Sequence, residues 1–417
     1  MIHWNLIAIL IVSSLFLLWN LELIATLLNL KTFPATPPQE LAGLMDQEKL
    51  DRARSYLTIN SRFDILQSSI SLAIFLSFWA LGGFSVLDAY ARSIATNEIL
   101  TGLVFLAILF IAQSLISLPF AYYETFVIEE KFGFNRSTLA TFVIDRLKGL
   151  ILAAVLGLPL VAGILWIFLN VANAWLWAWA FVTAFQLILT YLAPSVILPM
   201  FNKFTPMPEG ELKNDIQSLG EKCSFPLQGV FTIDGSKRST KANAYFTGFG
   251  KHKKIALFDT LIEKSTSPEI LAILAHEIGH FRLGHIKQRL LVGILQMAVI
   301  FFLIGLATDP EGVLSRQLFD AFGVEKISPH VGLVLFTILL EPAAKLISIF
   351  ANAWSRKHEF QADAFASQST GTPDALASAL KMLSSDHLSH PAPHQLRIIL
   401  DYSHPPLLQR LRALASQ

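Results

Sequence analysis

Seven stretches of this chain are apolar over the length that a lipid bilayer demands, and no other feature limits its fold so strongly. A hydrocarbon core of about 30 Å takes roughly 20 helical residues to cross. The stretches run about 4–30, 66–87, 99–126, 149–170, 174–201, 288–308 and 331–352. Inside lipid every backbone N–H and C=O must find a partner within the protein, so spans of this length are helices. Composition agrees: 53% of the 417 residues are hydrophobic and 15% are charged, against about 25% charged in a soluble domain. The first stretch outruns the roughly 7–15-residue apolar core of a signal peptide. It also lacks a basic start and a small-residue cleavage site, so a retained membrane helix is expected.

Charge in the loops sets the orientation. Segment 31–64 holds Lys31, Lys49, Arg52, Arg54 and Arg62, and 127–148 holds Lys131, Arg136, Arg146 and Lys148. The alternate loops are poorer: Arg92 alone in 88–98, none around Asn173, and Arg316 with Lys326 in 309–330. The positive-inside rule therefore puts 31–64, 127–148, 202–287 and 353–417 in the cytoplasm and the N-terminus outside. Four regions follow: 1–201 with five spans, a soluble insert at 202–287, two more spans in 288–352, and a soluble C-terminal part, 353–417. The expected class is mainly α, a seven-helix transmembrane bundle with a small α+β domain on the cytoplasmic side. The net charge of +1 gives nucleic acid nothing to bind. Cys223 is the only cysteine, which excludes a disulfide framework and a CxxC zinc site.

The insert reads as strands at 229–234, 243–246 and 254–258, the last two joined through Gly248 and Gly250. Ser267-Pro268-Glu269 then opens a helix, with Ser267 as its expected cap. That helix carries His276-Glu277-Ile278-Gly279-His280. Histidines at i and i+4 share a helical face, so both imidazoles reach one tetrahedral zinc. Glu277 stands beside the water that such a metal makes acidic and is placed to accept its proton. A third ligand has to come from elsewhere. An extended HExxHxxGxxH pattern fails, because its positions hold Leu283 and Ile286. His285, five residues past His280, is expected to turn away as a solvated or capping residue. Glu359 lies just past the seventh span, with Asp363 at i+4 to take the free N–H of a ligand imidazole. Pattern alone leaves Glu359 equally open as a ligand and as a surface carboxylate, and His358 points about 100° away from it on the helix.

His276-Glu-Ile-Gly-His280 with Glu359-Phe-Gln-Ala-Asp363 resembles the integral-membrane CAAX prenyl protease family of gluzincins. The resemblance runs along nearly the whole chain. It includes Glu129-Glu-Lys-Phe-Gly-Phe-Asn135, Leu198-Pro-Met-Phe-Asn-Lys-Phe204 and Lys237-Arg-Ser-Thr-Lys-Ala-Asn-Ala-Tyr-Phe246. It continues in Leu257-Phe-Asp-Thr-Leu261, Asn352-Ala-Trp-Ser-Arg356 and Ser403-His-Pro-Pro-Leu-Leu-Gln-Arg410. Ordered blocks of this kind are far more specific than HExxH.

The resemblance implies one Zn²⁺ per chain on His276, His280 and Glu359, with Glu277 as general base. Asp363 and Asn352 would support the ligands. Asn243 and Ala244 would lie on an edge strand that pairs with the substrate backbone. His404 would donate to the oxyanion and Arg410 would support it. The implied architecture is seven helices around an internal chamber, with the zincin domain on the cytoplasmic side. Glu22, Glu124 and Glu341 with Lys345, inside or near the spans, fit a water-lined interior or the span ends. The implied substrate is a peptide or protein at the bilayer, possibly prenylated, cut by a monomer. The implied place is a bacterial inner membrane or, in a eukaryote, the endoplasmic reticulum. Two other readings stand beside C-terminal tripeptide removal: quality control of membrane proteins, and a transporter or channel with a vestigial zinc site. The intact Glu277 argues against the last, since a structural zinc needs no base.

Overall fold

The computed structural model describes residues 2–41, 43–247 and 253–416; the expected Gly248–Gly250 connection lies outside them. Seven of its helices are long and apolar enough to cross a membrane. Helix α1, Leu6–Lys31, begins where Asn5 accepts from the backbone of Ala8. Helix α2, Gln47–Ala80, is capped by Asp46, which accepts from the backbone of Lys49. Its expected span continued to 87, but the helix stops early. Gly82 adopts φ 75°, a left-handed turn that a β-carbon resists, and α3, Gly83–Ile94, runs on as a separate amphipathic helix. Helix α4, Glu98–Tyr123, passes into a π-helical segment, Glu124–Glu129. Helices α5, Leu139–Asn170, and α6, Ala174–Leu192, form the expected hairpin. Asn173 takes the left-handed conformation in its turn, one of few residues that do so readily. After a second π segment, the short α7, Leu198–Phe201, ends the first half of the chain.

The insert then folds as expected, with one strand more. Strand β1 is Phe204–Pro206, helix α8 Glu211–Lys222, β2 Leu227–Ile233, β3 Ala244–Thr247 and β4 Lys253–Phe258. The sheet order is β1-β2-β4-β3, with β2 and β4 parallel and both outer pairs antiparallel. Strand β3 is therefore an edge, in register Ala244↔Leu257. Helix α9, Asp259–Lys264, leads to α10, Ser267–Arg282. A core of Ile216, Val230, Ile255, Leu257, Leu274 and Ile278 packs α8 and α10 against this sheet.

Helices α11, His285–Thr308, α12, Val313–Ala321, and α13, Pro329–Thr370, follow, and α14, Pro373–Asp386, α15, Gln395–Asp401, and α16, Leu407–Ala415, close the chain. At 42 residues α13 is about 60 Å long, twice what the bilayer needs. Its second half therefore stands outside the lipid, and it packs against α10. Apolar side chains such as Leu176, Trp177, Ile188, Leu295 and Phe350 face outward, as lipid contact requires. The charged groups in the spans turn inward. Glu22 and Glu341 line a cavity of about 570 Å³ with Asp64, Trp19 and Phe75. Lys345 bonds Glu22 and lies 2.8 Å from Asp401, and Arg397 lies 2.8 Å from Glu22. Glu124 is exposed, at the start of the π segment. At the other end, away from the sheet, Trp79 stacks on Phe322 at 4.2 Å and His330 lies 2.8 Å from Asp88.

One local expectation needs correction. The cap of α10 is Thr266, not Ser267. The Thr266 N–H and hydroxyl reach Glu269 Oε2 at 2.8 and 2.9 Å. A capping box needs its Thr three residues before the Glu, and only Thr266 has that spacing. Thr266→Ala should therefore cost about 1 kcal/mol of stability and Ser267→Ala far less. Denaturant titration of the solubilised protein checks this, and the opposite order would return the cap to Ser267.

Candidate active site

The two motif histidines project from one face of α10, one turn apart. His276 is buried and its Nε2 lies 3.2 Å from His280 Nε2. Two bare lone pairs at this distance repel, so a proton or a cation has to lie between them. Glu359 comes from α13 and is 2% exposed. Its Oε1 is 3.2 Å from His280 Nε2 and its Oε2 is 3.4 Å from His276 Nε2. Glu359 Oε2 is buried without a hydrogen-bond partner among the described residues. The three ligand atoms fall within 4.8 Å of one another, the one cluster of this type among the described residues. Two nitrogens bound at about 2.0–2.1 Å to one tetrahedral ion would stand about 3.3 Å apart. Spacing, donor types and the orphaned carboxylate oxygen all suit zinc.

Asp363, one turn beyond Glu359, does what its spacing predicts. Its Oδ1 is 2.8 Å from His276 Nδ1, which turns the imidazole and leaves Nε2 for the metal. It also holds Arg410, from α16, whose Nε donates at 2.8 Å and whose second nitrogen donates at 2.5 Å. Burial pushes the Arg410 pKa down, but Asp363 more than offsets this and keeps the guanidinium charged. Burial also pulls His276 down, and the Asp363 carboxylate on its Nδ1, with Glu359 close to its Nε2, overcomes that and raises it to about 9.

Glu277 is half-buried, one residue after His276 and three before His280. His404 keeps a side chain 65% exposed, with Nε2 3.5 Å from Glu359 Oε1, so it overhangs the site from the solvent side. Arg410 is mostly consumed by Asp363, with its remaining nitrogen 3.9 Å from Glu359. Ala244 opens edge strand β3, and Asn243 immediately before it is exposed, its carbonyl accepting from the Phe258 N–H at 3.0 Å.

Two expectations fail. Asn352 does not reach a ligand: it lies two turns, about 10 Å, before Glu359 along α13. Its side chain donates to the Leu400 carbonyl at 3.2 Å, and Arg356 donates to Ile398 and Tyr402, so the pair anchors the segment that carries His404. His285 is neither solvated nor turned away. It is 2% exposed, with Nδ1 3.0 Å from His280 Nδ1. The expected phase assumed a continuous helix, but Gly284 at φ 74° breaks it and restarts the count. The glycine between two histidines was the available signal. His358 is buried with its ring stacked on His285 at 3.9 Å, clear of the metal position.

Fold and site together define a multi-span membrane metalloendopeptidase. The family profile described as "CAAX prenyl protease N-terminal, five membrane helices" matches residues 26–203, and that of peptidase family M48 matches 206–417. The chain belongs to the M48 peptidases of the CAAX prenyl protease type, a family that is zinc-dependent in general. It is 38% identical to a rice protein named CAAX prenyl protease 1 homolog, over 91% of this chain and 90% of that one. It is 34% identical to the human protein of the same name, over 92% and 89%. The crystal structure of S. mikatae Ste24p superposes with a TM-score of 0.92 at 32% identity, covering 99% of this chain and 100% of that one.

Asp363 serves two buried partners at once, which makes it the most exposed point of failure. Asp363→Asn should weaken zinc binding by about 10–100-fold. It should also destabilise the fold by about 3–5 kcal/mol, since Arg410 would be left as an unpaired buried charge. Chelator competition and unfolding measured on the same sample test both. Loss of neither would remove Asp363 from the site.

Proposed function

We propose that this enzyme binds one zinc ion through His276, His280 and Glu359 and removes the C-terminal tripeptide of prenylated CAAX substrates at the cytoplasmic surface of its membrane. The observation that carries the reading is the convergence of those three side chains beside a free sheet edge, with Asp363 behind the first histidine. Relatives named CAAX prenyl protease match over about nine-tenths of the chain, which supports the substrate class.

Zinc, when bound, supplies a Lewis acid that polarises a carbonyl and makes water acidic near neutral pH. The chain supplies the rest. Strand β3 presents the backbone at Asn243 and Ala244 to an extended peptide, so main-chain hydrogen bonds align the scissile bond along the sheet. Glu277 takes a proton from the attacking water and returns it to the leaving amine. His404, overhanging from the exposed side, donates to the oxyanion as it develops, a contact worth about 3–4 kcal/mol in other hydrolases. Arg410 holds Asp363, and through it His276, in place. Every one of these groups comes from a single chain, which supports a monomer as the working unit.

Orientation follows from parity and charge. The insert and the C-terminal part must share one face because they share the site, and two spans, α11 and α13, separate them. The Lys/Arg excess in 31–64 and 127–148 supports the cytoplasm as that face. This fits the endoplasmic reticulum of a eukaryote or the inner membrane of a bacterium.

The substrate test compares a farnesylated CAAX peptide with its unprenylated twin in detergent. Wild type should cleave the farnesylated peptide in preference, and Glu277→Gln should lose about 10²–10⁴-fold in rate while keeping zinc. Equal cleavage of the two peptides would favour general proteolysis of membrane proteins, and more than a tenth of wild-type rate in Glu277→Gln would exclude it as the base. For orientation, single cysteines at Ser236, Glu311 and Ser416 in a Cys223-free background should be probed in intact cells. An impermeant reagent should label only Glu311→Cys, and label at Ser236→Cys alone would reverse the assignment.

A further inference from the structure

We infer that His285 and Gln361 select the tautomer of His280, so His285 is a positioning residue for the second metal ligand as Asp363 is for the first. The inference rests on the proposed zinc site. Of the two ligand imidazoles Asp363 bonds that of His276, so the other needs its own partner if its ring is to be held and its Nε2 left bare.

The partner is placed by a break in the chain. Helix α10 ends at Arg282, Gly284 takes a left-handed turn, and α11 starts at His285. In an unbroken helix a residue five further on would sit about 140° round the axis from His280. The break instead swings its ring back, and the two Nδ1 atoms come to 3.0 Å. Two nitrogens at that distance require a proton on one and a lone pair on the other. The geometry of the pair alone allows either assignment.

The metal position and Gln361 agree on one choice. Gln361 Oε1 lies 3.1 Å from His285 Nε2, and a carbonyl oxygen only accepts. His285 therefore carries its proton on Nε2, and in the neutral ring Nδ1 is the acceptor. His280 must then donate from Nδ1, which leaves its Nε2 lone pair directed at Glu359 and His276, each 3.2 Å away. The reverse assignment would put a hydrogen on His280 Nε2, inside the metal position, where no ligand could form. His285 is 2% exposed, and His358 stacks on its ring at 3.9 Å with an interplanar angle of 5°, so packing fixes its plane. Trp354 packs against His358 in turn, at 4.7 Å. Helix α13 thus acts on the site three times within five residues. Glu359 faces the metal position, Asp363 orients His276, and Gln361 orients His280 through His285.

Zinc affinity of the full chain in detergent, read by chelator competition, tests this without reference to turnover. His285→Leu removes the acceptor and should weaken zinc by about 10–100-fold. His285→Asn keeps a carbonyl near the Nδ1 position and should recover affinity to within about threefold of wild type, because that oxygen accepts from His280 as Nδ1 does. On the other helix, Gln361→Leu should weaken zinc, whereas Gln361→Glu, which also only accepts, should not. Cobalt-substituted protein should show a shifted visible spectrum in the two Leu variants alone. Wild-type affinity in His285→Leu overturns the inference, and so does an Asn variant as weak as Leu, which would mean that ring shape matters rather than the acceptor. If His285→Leu does not fold, the Gln361 pair decides alone. Glu359→Ala separates the two levels. Its loss of zinc with unaffected His285 variants sinks only the tautomer relay, and full zinc binding in Glu359→Ala sinks the metal site beneath it.

Discussion

The close contact of α10 with α13 is the constraint on which the rest depends. The site draws His276, Glu277 and His280 from α10 and Glu359 and Asp363 from α13, so the axes must approach within reach of an imidazole and a carboxylate. Gly279, between the two histidines, permits this. A β-carbon there would meet the Ala362 Cα at 3.3 Å and the Phe365 side chain at 3.1 Å, tighter than ordinary contact. Ala362 is the facing residue and is fully buried. Small residues thus sit at the crossing while Glu359 and Asp363 reach past it. A wider crossing would separate Glu359 from His276 and Asp363 from His276 together.

The same helix couples the membrane to the chemistry. Because α13 runs unbroken from the span into the soluble part, the Glu359 position is set by how that helix is held in the bundle. Lys345, on the membrane part of α13, is tied to Glu22 of α1 and Asp401 of α15. Asn352 and Arg356, two and three turns further on, hold the segment that leads to His404. A second tie fixes the sheet. Arg238, in the loop before β3, forms a two-pronged bridge with Asp145 of α5 at 2.7 and 3.0 Å, and Lys241 meets Glu129 at the end of the π segment at 2.9 Å. Bidentate Arg–carboxylate pairs fix orientation as well as distance. The edge strand is therefore registered against the membrane helices as well as against β4.

Much of the candidate site was legible because its parts are local. The i,i+4 histidines and Glu277 between them follow from helical periodicity, and Asp363 lies where its spacing from Glu359 puts it, against His276; periodicity leaves Glu359 itself open, and only the resemblance singles it out. The errors came where local rules meet a break or a distant partner. The second span was drawn too long because apolarity continues past Gly82, while backbone geometry does not. His285 was read with the phase of a helix that Gly284 had ended. Asn352 lies in a motif that resembles the family's, but its own partner is a carbonyl 48 residues away. Arg410 was named through resemblance, and nothing in its surroundings along the chain points to Asp363.

Sequence alone determined that seven helices cross the bilayer, which segments lie between them, and that one soluble helix bears a paired-histidine metal motif. Each is a property of a short window, since solvation in lipid and helical periodicity act within about twenty residues. Tertiary structure decided which carboxylate completes the cluster, which partners turn the imidazoles, and which strand is left as an open edge. Those outcomes depend on the crossing of α10 and α13 and on the order of strands in a sheet. Packing between segments that are distant in sequence sets both, so no window of the chain contains them.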